Sequence, residues 1–127
     1  MENRSYFVEI EECNRELSAR DRIAIKQTDN ATKLDVAVTP DNPLRIAPDF
    51  YAILKVHNEN GDDKEYANYV VIDKDGEKYV TGSGSFFKSF IEIYEEMEQA
   101  DEDYEIEISK RESKNYKGKY YLTCNIV

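Results

Sequence analysis

The residues best suited to bind a ligand stand near the end of the chain, where the sign of the charge changes abruptly. Positions 92–107 contain nine Asp or Glu and no Lys or Arg, whereas positions 109–121 contain five Lys or Arg and one Glu. The basic stretch also carries tyrosines, whose rings can stack on nucleic-acid bases while nearby cations hold the phosphates. The separation of acidic and basic residues into two stretches indicates that one face of the protein binds a polyanion.

Nine residues are the candidates for nucleic-acid contact. In the basic stretch, five cations would hold the backbone of a single strand and two tyrosines would stack on its bases. These seven are Lys110, Arg111, Lys114, Tyr116, Lys117, Lys119 and Tyr121. Tyr51 and Lys55, which strand alternation places on the outward face of an earlier segment, are expected to extend the groove. The alternative interpretation is that the lysines are merely solvated and that the tyrosines merely pack.

Residue types that support catalysis or metal binding do not occur in the required patterns. His57 is the only histidine, and Cys13 and Cys124 are far apart, with no CxxC spacing. The acidic run at 95–103 lacks the spacing of a calcium loop, and the glycines at 82 and 84 lack the Gly-Lys-Ser/Thr element of a phosphate loop. These observations predict a protein that is not an enzyme and that needs no metal or cofactor.

Length and composition predict a single globular domain. The chain has 127 residues, of which 40% are hydrophobic and 35% charged, and its net charge is −10. The net negative charge argues against binding duplex DNA through the whole surface. A single basic face could still hold a nucleic-acid backbone. The N-terminus is charged from its second residue and lacks an apolar signal core, which favours an intracellular, cytoplasmic location.

Hydrophobic periodicity predicts several strands, one helix and a final pair of strands. The first 31 residues are the least readable, and positions 6–10 and 20–26 are the strand candidates there. Further strands are expected at 32–38, 50–56, 65–72 and 78–81, with a polar turn at 58–62 and an Asp-Gly hairpin at 73–76. The helix is expected from Phe86 to Gln99, because apolar residues recur there at spacings of three and four. A half-buried hairpin formed by 104–109 and 120–126 completes the chain.

This order predicts a fold that is mainly β with one helix. An OB-like antiparallel barrel, in which the helix plugs one end and the loops bind ligand, fits it best. The alternative is an α+β architecture in which the helix packs on an antiparallel sheet.

The later part of the chain resembles small single-stranded DNA-binding proteins of phages and mobile elements. The matching patterns are the Asp75-Gly-Glu-Lys-Tyr79 hairpin, the serine-rich start of the helix at 81–90 and the terminal hairpin with Ser113-Lys-Asn-Tyr-Lys-Gly-Lys-Tyr-Tyr-Leu122. Together they cover roughly residues 50 to 127. The resemblance implies an OB-like fold and sequence-tolerant, cooperative coating of single-stranded DNA during replication or recombination. It also implies that the partners include further copies of the chain and replication or recombination proteins.

A second hypothesis starts from the acidic residues. The net charge of −10 and the run at 95–103 are typical of proteins that mimic DNA and occupy a basic groove on another protein. A structural subunit of a phage or conjugation apparatus is a third hypothesis, without support from particular residues. The residues alone do not choose among the three.

Overall fold

The computed structural model describes residues 6–60 and 64–127. Within these ranges the chain forms eight strands and three α-helices. The strands are β1 (Tyr6–Cys13), β2 (Thr32–Lys33), β3 (Leu44–Ile46), β4 (Pro48–Asn58), β5 (Glu65–Asp73), β6 (Lys78–Thr81), β7 (Ile106–Glu112) and β8 (Tyr120–Ile126). The helices are α1 (Ala19–Lys26), α2 (Leu34–Ala37) and α3 (Gly84–Ala100).

The described strands form two sheets. The large sheet has the order β1-β4-β5-β6-β2, and all its neighbours are antiparallel except β6 and β2. The small sheet has the order β3-β7-β8 and is antiparallel throughout. Only Ala47 separates β3 from β4, so one nearly continuous segment belongs to both sheets and joins them at a corner.

The fold is therefore mainly β, and it matches the α+β alternative. A closed barrel would need a second junction between the two sheets. Here β6 pairs with β5 and β2, and β8 pairs with β7 alone, so the described strands do not close into a ring. Helix α3 packs against β8 near this opening. Because α3 contributes buried aromatic residues there, apolar side chains fill the space between the sheets.

Both faces of the large sheet are covered. One face, with Tyr51 and Val71, packs against α3 and the small sheet. The other face, with Leu54 and Val70, packs against Ile25 of α1. A strand that is buried on both sides is expected to have a nearly continuous apolar sequence, as β4 and β5 do.

The sequence of α3 explains where the helix begins, which side it buries and where it ends. The Ser83 hydroxyl accepts a hydrogen bond from the Phe86 N–H at 3.2 Å, which caps the first turn. Phe86, Phe90 and Tyr94 recur at four-residue spacing and are buried. Asp101 adopts a left-handed conformation (φ 54°) that ends the helix. The predicted helix at 86–99 is confirmed. No helix in the described residues is long and apolar enough to span a membrane.

The prediction of a single helix was wrong. Residues 20–26 were expected to form a strand, but they lie in α1, where the Ser18 hydroxyl caps the N-terminus. At the other end of α1 the Lys78 ammonium donates to the carbonyl oxygens of Ala24 and Gln27. Of the predicted strand at 32–38, only the two residues of β2 form a strand, and α2 follows at once. Long-range contacts therefore override the weak local alternation.

The other predicted strands are confirmed, and so is the hairpin turn between β5 and β6. Gly76 has a positive φ of 86°, and the Asp73 carboxylate accepts hydrogen bonds from the N–H groups of Asp75 and Glu77. The Tyr79 hydroxyl also donates to Asp73, at 3.2 Å, and burial together with this carboxylate raises the pKa of Tyr79 to about 12. The turn predicted at 58–62 lies partly outside the described residues.

The two cysteines are expected to differ in reactivity. Cys124 is buried in the core, and this burial raises the pKa of its thiol from 9.0 to about 12. Cys13 is partly exposed. Because the thiolate is the nucleophile, Ellman's reagent at pH ~8 is expected to modify Cys13 rapidly and Cys124 only after denaturation. The account of the core is wrong if both thiols react at the same rate in the folded protein.

Candidate nucleic-acid interface

The hairpin of β7 and β8 has two chemically different faces. Ile106 and Ile108 are buried, and they pair with Ile126 and Cys124 on the side that faces α3. The alternate residues point away from the core and form what we call the outer face of the small sheet. Its members in the strands are Arg45, Glu107, Ser109, Arg111, Tyr121, Thr123 and Asn125. Lys119, which directly precedes β8 and whose carbonyl accepts from the Ser113 N–H, continues this face.

Arg111 and Tyr121 form the centre of the outer face. They lie directly opposite each other across the β7–β8 pair, which brings their Cβ atoms to within about 4.5–5.5 Å. The Tyr121 residue is 43% exposed, and Arg111 is exposed. Lys119, two residues before Tyr121, continues the same alternation. Neither cation forms an ion pair with any residue in the described ranges. A stacking ring and two free cations therefore lie side by side.

Arg45 extends this face, and sequence reasoning missed it. It lies in β3 opposite Glu107, and its Nε donates to the Glu107 carboxylate at 2.9 Å. The only signal in the sequence is the alternation of Leu44, Arg45 and Ile46, which is too short to predict a strand. Because Glu107 already partners Arg45, this guanidinium adds less free positive charge than Arg111 does.

The loop that joins β7 and β8 presents three more candidates to solvent. We call residues 113–118 the hairpin tip. The Ser113 N–H donates to the Lys119 carbonyl at 2.8 Å, and Gly118 has a φ of 82°, so the turn is tight. Lys114, Tyr116 and Lys117 are all exposed there. The tip therefore places an aromatic ring between lysines, next to the outer face.

Lys110 does not share a surface with the other cations. It lies on the inner side of β7, where its ammonium donates to the backbone carbonyl of Asp35 in α2. The Asp35 carboxylate in turn accepts a hydrogen bond from the Thr81 hydroxyl at 2.9 Å. Lys110 therefore connects the hairpin to α2 and β6, and its role in this structure is to position the hairpin.

The structure also separates Tyr51 and Lys55 from the hairpin. The expectation that Tyr51 faces outward was wrong: it is only 7% exposed, and its ring packs edge-on against Phe87 and Tyr94. Desolvation, followed by the Glu12 carboxylate, raises the pKa of Tyr51. Lys55 is partly exposed on the large sheet, where its ammonium lies 3.5 Å from the Glu65 carboxylate. Neither residue extends the outer face.

The acidic run lies at the opposite end of the small sheet. Positions 101–103 are exposed and precede β7, whereas the tip follows it, so the length of β7, about 20 Å, separates the two. Lys74 lies 3.3 Å from the Asp103 carboxylate. One sheet thus has a basic end and an acidic end.

The single histidine has a structural environment. The His57 ring stacks on Phe7 with 4.1 Å between centroids, and the carboxylates of Glu9 and Glu65 lie 3.4 and 3.0 Å from its two nitrogens. Because each nitrogen meets a different carboxylate, the three side chains do not converge on one point. In the part of the chain that the structure covers, no group of His, Cys, Asp or Glu is arranged to hold a metal ion.

Comparisons with known proteins do not identify the function of this surface. The sequence matches no family model, and no curated protein or solved structure is significantly similar to it. The functional interpretation therefore depends on the residues of the small sheet themselves.

Proposed function

We propose that the protein is a non-enzymatic, sequence-tolerant single-stranded DNA-binding protein, and that it binds the strand on the outer face of the small sheet. The observation that carries this proposal is the direct pairing of Arg111 with Tyr121, with Lys119 beside them. Among the residues that the structure describes, no carboxylate forms an ion pair with either cation. A ring flanked by cations can stack on a base while the cations contact the adjacent phosphates.

The order of the elements supports an OB-like, partly open barrel within this proposal. Three antiparallel strands, one helix and a final hairpin follow one another from β4 to β8, as expected for this fold. The continuous β3–β4 segment pairs with β5 in one sheet and with β7 in the other, as the first strand of a barrel would. The hairpin tip then corresponds to a loop beside the ligand surface.

The chemistry of the outer face favours a single strand over a duplex. Stacking on Tyr121 requires an unpaired base whose π-face is accessible, which a stacked duplex does not offer. The net charge of −10 also argues against binding a duplex through a large part of the surface, because duplex-binding domains are usually basic overall. Since every base has a π-face, stacking of this kind tolerates any sequence. In this proposal the protein acts in the cytoplasm, including that of an infected host cell, during replication or recombination of a phage or mobile element.

Fluorescence anisotropy with labelled oligo-dT tests the proposal. Binding is expected at about 50 mM salt and should weaken as salt is added, because phosphate contacts release counterions. For two or three such contacts on a single strand, the slope of log K against log salt concentration should be about −1.4 to −2. No detectable binding at about 50 mM salt would rule the proposal out.

The acidic end supports a second candidate, a DNA-mimicking interaction protein. Glu98 and positions 101–103 surround a shallow cavity of about 120 Å³ in which Lys74 is the only lining cation among the described residues. In this case, changing Glu98, Asp101, Glu102 and Asp103 to Asn or Gln should abolish capture of a basic protein from lysate. Arg111→Ala and Lys119→Ala should then have no effect. The opposite pattern, measured against oligo-dT, supports single-strand binding.

A further inference from the structure

A small apolar cleft lies between α3 and β8, at the end of the small sheet away from the tip. Ile93, Met97 and Ile126 line its base, and Glu92 and Glu96 stand at its rim. Its volume is about 240 Å³, below the ~300 to 1,000 Å³ typical of small-molecule sites, so it suits a single side chain. Ile126 is 50% exposed.

The rim of the cleft carries negative charge that is not neutralised locally. Glu92 and Glu96 are one helical turn apart on α3, both are exposed, and neither forms an ion pair with another described residue. An apolar base with an acidic rim selects an apolar or aromatic side chain that is flanked by cations. This combination defines the chemistry of the occupant.

The hairpin tip of the same chain has that chemistry. Tyr116 is the most exposed tyrosine of the described residues, at 65%, and Lys114 and Lys117 flank it. The tip protrudes beyond the last pairs of β7 and β8, so its ring can enter a concave surface. Tyrosine is also a preferred anchor at protein interfaces, because a large ring is ordered at low entropic cost.

The tip cannot reach the cleft of its own chain. Ile126 pairs with Ile106 at one end of the hairpin, whereas the tip follows Glu112 at the other end, about 20 Å away. The two surfaces can therefore meet only between two molecules. Because each molecule carries one tip and one cleft at opposite ends, such a contact is head to tail and can continue from molecule to molecule.

We infer that the protein self-associates head to tail by inserting Tyr116 of one copy into the α3–β8 cleft of the next, with the tip lysines against Glu92 and Glu96. The inference does not depend on DNA binding. The outer face, with Arg111 and Tyr121, is not part of the contact and stays open to a ligand. The contact is small, with one anchor and a charged rim, so the association is expected to be weak and salt-sensitive.

Sedimentation velocity without nucleic acid tests the inference. At about 50 mM salt, the weight-average sedimentation coefficient should rise with protein concentration up to about 1 mM, and the rise should shrink at about 500 mM salt. A tip variant, Lys114→Ser with Tyr116→Ser, should remain monomeric. A cleft variant, Glu92→Lys with Glu96→Lys, should also remain monomeric. All four positions are exposed, so both variants are expected to fold, which circular dichroism checks.

Mixing the two variants gives the decisive result. The tip variant retains an intact cleft and the cleft variant retains an intact tip, so an equimolar mixture should form one-to-one dimers and nothing larger. As a matched control, Tyr66→Ser removes another exposed tyrosine and should associate like the wild type. The inference fails if the wild type is monomeric throughout, if either variant associates like the wild type, or if the mixture stays monomeric.

Discussion

Replacing Tyr121 by alanine is expected to weaken the binding of single-stranded DNA by about 1 to 3 kcal/mol, roughly 5- to 150-fold in Kd. The ring lies on the outer face of the small sheet, opposite Arg111 and near Lys119, and it is not needed to fill the core. Removing it takes away a stacking surface and leaves the fold intact. Anisotropy with labelled oligo-dT at about 50 mM salt measures the effect.

Tyr120 provides a matched control for this experiment. It is the neighbouring residue, it is 49% exposed, and it pairs with Glu112 on the other side of the hairpin. Tyr120→Ala should change the Kd by less than about twofold, within the usual range for surface substitutions. If Tyr120→Ala weakens binding as much as Tyr121→Ala does, the strand is not confined to the outer face.

Replacing Tyr51 by alanine is expected to lower the free energy of unfolding by about 3 to 5 kcal/mol, as for other large aromatic residues in cores. The ring is buried between the large sheet and α3, in contact with the rings of Phe87, Phe90 and Tyr94. Its loss leaves a cavity that the two layers cannot close completely. Urea unfolding followed by circular dichroism measures the change in stability.

Tyr51→Phe is the control for the core prediction. It keeps the ring and removes only a hydroxyl that lies 3.5 Å from the Glu12 carboxylate, so its effect on stability should be small. DNA binding by Tyr51→Ala, at a temperature where the variant is folded, should match the wild type. If Tyr51→Ala loses DNA binding but not stability, Tyr51 contacts the ligand and does not belong to the core.

The parts of the structure that the sequence predicted well depend on short-range patterns. The turn at Gly76 requires a positive φ, and the apolar residues of α3 repeat at helical spacing, so both follow from local chemistry. The alternation in β7 and β8 likewise places Ile108 and Leu122 in the core and Arg111 and Tyr121 outside it. Local patterns therefore identified the centre of the candidate site.

The errors arose where contacts distant in sequence decide the outcome. Strand alternation shows that Tyr51 and Leu54 point to opposite faces of β4, but not that both faces are covered. Charge alone could not show that Lys110 turns inward toward Asp35. The same limit applies to α1, whose end is capped by Lys78, a residue far along the chain.

A two-dimensional ¹H–¹⁵N NMR titration with unlabelled oligo-dT tests the central claim most directly, because it reports the position of the strand residue by residue. The account predicts that the largest amide shift changes fall on the outer face of the small sheet, centred on Arg111, Lys119 and Tyr121. Residues 101–103, at the acidic end, should change little. Shift changes centred on 101–103, or no change at saturating oligonucleotide, would contradict the account.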